Sequence, residues 1–141
     1  TKYGDIVGKE AAGMLGVGAA STAVDVPTLL SKLTKIAKDD DGLLPQPSAP
    51  KKQTCVVQIY VRSHEFGGTD KSCNGHRYDT MPFCNGMINA GIACYPIHYD
   101  YTQHDTFCEV MEQMDAILVR CNPGQIKADG GDQQKFDDAM R

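Results

Sequence analysis

The sequence predicts an α/β domain, a small three-layer fold around a mostly parallel sheet. Three observations point there. Short β-branched runs alternate with helical patterns in the order β-α-β-α-β-α from residue 53 onward. The runs carry few charges, as strands buried on both faces do. Glycine and proline punctuate the intervals where a strand must hand over to a helix.

Each element has its own local reason. "TCVVQIYV" is β-branched and apolar and predicts the first strand. "DTMPFCNGMINAG" predicts a helix, with Asp79 or Thr80 as cap, Pro82 in the first turn and Gly91 at the end. "IACYPIHY" predicts a second strand, and Pro96 moves it toward a sheet edge. "HDTFCEVMEQM" places Phe107, Val110, Met111 and Met114 on one helical face. "DAILVRC" predicts a third strand, closed by the turn "NPG". "DQQKFDDAMR" predicts a third helix after Gly130 and Gly131.

Residues 1–50 differ in character from the rest of the chain. They hold no cysteine, histidine or arginine. "VPTLLSKLTKIAKDD" spaces Leu29, Leu30, Leu33, Ile36 and Ala37 as one helical face over about residues 27–38, with Lys32, Lys35 and Lys38 opposite. Pro45, Pro47 and Pro50 then predict an extended linker. "GVGAAS" at residues 16–21 lacks the preceding strand that a dinucleotide loop requires, so it reads as flexible small-residue packing.

Composition narrows the function classes. The chain has 141 residues and a net charge of −4, which argues against a general nucleic-acid binder. No apolar run approaches the roughly 18–20 residues a bilayer span needs. The six cysteines lie between Cys55 and Cys121, mostly within strands and helices. That placement predicts reduced thiols in an intracellular or organellar compartment. Both ends look cut, because Thr1 is not methionine and the last helix is still under way at Arg141. The expectation is a piece of a longer protein.

The candidate site follows from topology. In a parallel sheet the carboxyl ends of the strands share one edge, and ligands bind outside it. Arg62 and His64 follow the first strand, His98 ends the second, and Arg120 and Asn122 follow the third. Arg77 can join them from the long loop "VRSHEFGGTDKSCNGHRYDTMPF". Arginine suits bidentate contact with carboxylate or phosphate. The glycine-rich turns "EFGGTD" and "DGGDQQ" offer further anion-binding backbone. The expected ligand is a small anion. The bland alternative is that Arg62 pairs with Asp79 or Asp100, and Arg120 with Asp129.

Two other chemistries are weaker. Cys73 and His76, with Cys84, Cys94 and His98, could hold a metal, but structural zinc usually shows two compact ligand pairs. Cys73 beside His76 and Arg77 could be a nucleophile, though an exposed loop cysteine accounts for it more simply. The expectation is no metal site and no catalytic residue.

Residues 53–141 resemble an uncharacterised family related to ATP-grasp enzymes. The resemblance rests on "VRSHEFGGTDKSCNGHRYDTMPF" and "DAILVRCNPGQIKADGGDQQKFDDAM". "DAILVRCNP" is also similar to the strand and Arg-x-x-Pro turn closing the first domain of glutathione-synthetase-like ligases. That resemblance implies a Rossmann-like pre-ATP-grasp domain that binds substrate for a carboxylate-amine ligase, with Arg120 in contact with substrate. ATP and Mg would belong to a later domain, so this chain would not catalyse the ligation alone. The rival expectation is an accessory or structural subunit of an assembly, docked on protein partners through residues 1–50.

Overall fold

The structure is a computed structural model and describes residues 25–33, 42–60 and 75–141. Arg62, His64 and Cys73 lie outside the described residues, as do "GVGAAS", "EFGGTD" and the 34–41 part of the N-terminal amphipathic pattern.

Three parallel strands form one sheet: β1 (Gln53–Ile59), β2 (Ala93–Tyr99) and β3 (Ala116–Val119). Their order is β2-β1-β3, so β1 is central. Period-two alternation on β1 divides the core. Cys55, Val57 and Ile59 face one side, and Val56 faces the other with Cys94 of β2. Six consecutive buried residues on β1 explain the uninterrupted apolar run in the sequence.

Helices cover both faces, giving the expected three layers. α2 (Thr80–Asn89) lays Cys84 and Ile88 against Val56 and Cys94. The opposite face receives α1 (Val26–Leu30), α3 (His104–Met111), α4 (Gly124–Ala128) and α5 (Gln133–Ala139). Its centre is aromatic: the Tyr99 ring meets Phe107 at 4.7 Å and Phe136 at 4.6 Å, both edge-on. α2 ends at Gly91, whose φ of 81° is the left-handed conformation that glycine adopts without a Cβ penalty. Pro96 sits on β2, an edge strand, as its missing N–H requires. No described helix is long and apolar enough to cross a membrane.

The described N-terminal residues pack on this domain. The described helix in this region spans Val26–Leu30, and Val26, Leu29 and Leu33 are buried. Leu29 and Leu33 join the core shared with α3, so the described part of this apolar stripe packs on the protein's own domain. The proline-rich stretch is also more than a spacer. Gln46 Nε2 donates to the Cys94 carbonyl at 2.7 Å, and Cys94 N–H donates to Gln46 Oε1 at 2.9 Å. One side-chain amide thereby pairs with the outer edge of β2 at Cys94 as a neighbouring strand would. Asn85 holds the same segment by donating to the Gly42 carbonyl and accepting from Leu44 N–H.

Candidate functional site

The site lies where the topology reverses direction. From β1 the chain crosses through α2 to β2, then through α3 back past β1 to β3. The helix after β1 and those after β3 therefore pack on opposite faces. Connections that part in this way open a crevice at the carboxyl ends of β1 and β3, the usual ligand position in such sheets.

Asp79 stands at this edge and gathers two arginines. Arg120, just past β3, donates to Asp79 Oδ2 through Nε at 3.1 Å and through a second guanidinium nitrogen at 2.5 Å. Arg77 Nε donates to Asp79 Oδ1 at 3.3 Å. Burial pushes the Asp79 carboxyl up, but the Arg120 hydrogen bonds and charge, helped by Arg77, outweigh it and hold the group below its usual value. Asp79 is the N-cap of α2 as expected, yet its side chain makes no capping bond because both oxygens face arginines. Arg120 thus takes Asp79 as partner, not Asp129, whose carboxylate accepts from Gln125. The Arg120 guanidinium also lies 5.7 Å from the Phe83 ring centre.

A buried polar cluster supports this edge from below. Gln58, wholly buried on β1, accepts from Arg77 N–H at 2.8 Å and from Thr80 Oγ1 at 3.1 Å through Oε1. Its amide nitrogen lies 2.6 Å from His76 Nδ1. The backbone N–H of Arg77 can only donate, which identifies Gln58 Oε1 as the oxygen. Gln58 Nε2 is then the donor, His76 Nδ1 accepts, and the His76 proton resides on Nε2. His98 Nε2 donates to the Gly75 carbonyl at 3.0 Å, and the His76 and His98 ring centres are 5.3 Å apart. These contacts hold residues 75–80 against the ends of β1 and β2.

Of the sequence-predicted residues, Arg77 and Arg120 come together. Asn122 has a local job: its Oδ1 accepts from Gly124 N–H and turns the chain into α4. His98 is buried beneath the crevice, not at its surface. Gln58 and Asp79 complete the arrangement. Gln58 has one signal in the sequence, a polar residue inside an otherwise apolar strand. Asp79 has only the signal of a helix cap or of a partner for Arg62.

Among the described residues, no three His, Cys, Asp or Glu side chains gather in a metal-binding group. Among the described residues, Cys55, Cys84, Cys94, Cys108 and Cys121 form no disulfide. Cys84 and Cys94 are buried side by side under α2. The Cys84 hydrogen bond lowers the Cys94 thiol, against burial, to about 7. Fold and site together define a three-layer α/β domain with two arginines paired to one carboxylate at its strand ends. No family model, curated protein or solved structure matches this chain.

Proposed function

We propose that residues 53–141 form the substrate-binding domain of an ATP-grasp-like carboxylate-amine ligase, taking a small carboxylate or phosphate at the β1/β3 crevice. The observation that carries this reading is the convergence of Arg77 and Arg120 on Asp79 at the topological switch point. Two guanidinium forks aimed at one carboxylate form a geometry that an incoming carboxylate or phosphate can also use. The chain binds and orients the anion; ATP and Mg belong to a separate catalytic domain.

The test is an NMR titration of the full chain with succinate and inorganic phosphate. The expected result is saturable shifts at residues 75–79 and 120–122, abolished in Arg77→Ala and Arg120→Ala. Asp79→Asn removes the competing carboxylate and should tighten binding. Shifts that persist unchanged in both arginine variants would sink the site.

A second reading, an accessory subunit of an assembly, is favoured by the exposed apolar side chains around β3. The two readings are compatible, although Arg120, which lies over Phe83, borders both surfaces.

A further inference from the structure

The two edges of the sheet are finished differently. The Gln46 amide occupies the outer edge of β2 at Cys94. The other edge strand, β3, pairs only with β1 among the described residues. Apolar side chains are exposed on both sides of it. Ile117 and Val119, paired in register with Cys55 and Val57, face the α3 side and are 37% and 39% exposed. On the α2 side, Phe83 and Met87 are 44% and 36% exposed beside a groove of about 230 Å³ that reaches Leu118. A strand edge with no partner among the described residues and with apolar flanks on both faces is what isolated folds avoid and interfaces use.

We propose that β3 pairs antiparallel with β3 of a second copy of this chain across a two-fold axis. The order of charge along the strand selects this occupant and direction. Asp115 precedes the strand and Arg120 follows it. An antiparallel copy sets each basic end beside the other's acidic end, whereas a parallel copy sets like against like. Asp115 already lies 3.9 Å from Lys52, and Arg120 already holds Asp79, so these charges orient the pair more than they drive it.

Apolar contact supplies the driving force. A two-fold axis normal to the sheet keeps each face on its own side. Ile117 and Val119 then meet their counterparts on one face, and Phe83 and Met87 approach theirs on the other. The product is a continuous six-stranded sheet with the two arginine crevices at opposite ends of the paired strands.

Sedimentation of the full chain across a concentration series tests this. A reversible dimer is expected. Ile117→Lys and Val119→Lys should each raise its dissociation constant by at least about tenfold, while Ala128→Lys on α4 should not. Both β3 positions are already exposed, so a lysine can reach solvent and far-UV circular dichroism should be unchanged. Ile117→Cys should form an inter-chain disulfide on oxidation by glutathione disulfide, releasing two reduced glutathiones per bridge. A chain that stays monomeric up to roughly 1 mM, or a dimer indifferent to both lysine variants, would overturn the proposal. Capture of β3 by a different protein while this chain remains monomeric would do the same.

Discussion

The Gln58 amide nitrogen and His76 Nδ1 lie 2.6 Å apart, with Gln58 wholly buried and His76 nearly so. This contact joins the central strand to the segment that carries Arg77 and Asp79. Gln58 also receives Arg77 N–H and Thr80 Oγ1, so one side chain holds the chain on its way into α2.

Gln58→Leu is therefore expected to destabilise the protein by ~2–4 kcal/mol. It keeps the volume but removes partners from three buried polar groups at once. Urea unfolding of the variant against the parent measures the loss. A change below about 0.5 kcal/mol would show that the cluster does not hold this edge.

Asp79 makes the fold sensitive to acid. Its folded-state pKa is depressed by Arg120 and Arg77, so its contribution is fully present above the unfolded value of about 3.9. That contribution is lost as pH falls through the lower folded value. Asp79→Asn should cost ~1–2 kcal/mol at neutral pH, because hydrogen bonds to both guanidiniums weaken. It should also flatten the stability profile below about pH 4. Parallel acid limbs in parent and variant would contradict this assignment.

His104 sets a second pH window. Tyr99 Oη lies 2.8 Å from His104 Nδ1, and His104 Nε2 lies 3.5 Å from Cys108 Sγ. Burial raises the Tyr99 hydroxyl to about 12, so it donates to a neutral ring. Burial, with help from Lys135, lowers the His104 pKa. The folded state then binds fewer protons than the unfolded chain. Its stability is complete above about pH 6.5 and declines as pH falls through the lower folded value. An NMR titration should place the His104 midpoint below 6.5, and Tyr99→Phe should move it upward. A midpoint above the ordinary histidine value would be the opposite outcome.

The buried thiols should differ in reactivity. Cys94 is lowered to about 7, while burial, aided by Cys94, pushes Cys55 well above the usual range. Cys94 and Cys55 both line the groove under α2, but the Cys55 sulfur is held against Met111 Sδ at 3.7 Å. Brief iodoacetamide treatment at pH 8 followed by peptide mass spectrometry should alkylate Cys94 well before Cys55. Cys84→Ala removes the hydrogen bond behind the lowered value and should slow Cys94. Equal labelling of Cys55 and Cys94 would mean that local opening governs both.

Much of the fold is legible from residue order. The apolar run around Cys55–Ile59, the helical spacing of Phe107, Val110 and Met111, and Gly91 after α2 each act over a few residues. The short helix α4 is not legible, because Pro123 and Gly124 read as a turn and only Ile126 is buried in it. The described helix here is Val26–Leu30, and positions 34–38 of its 3.6-residue pattern lie outside the described residues. Tertiary packing, which buries Leu29 and Leu33 beneath α3, decides what that segment covers.

At the site, residue order places Arg120 at the strand ends. The residue after a strand must emerge at the sheet edge, so Arg120 is bound to lie there, and Arg77 and Asp79, ahead of α2, lie alongside it. The partners come from packing. Asp79 turns from a helix cap into the meeting point of two arginines, and Gln58 becomes the buried brace beneath them. Gln46, in a proline-rich stretch with the composition of a linker, becomes the cover of the β2 edge, 48 positions before Cys94. Local propensity is set by near neighbours along the chain. Ion pairs and edge hydrogen bonds are set by which strand lies beside which, and that order exists only after the sheet has formed.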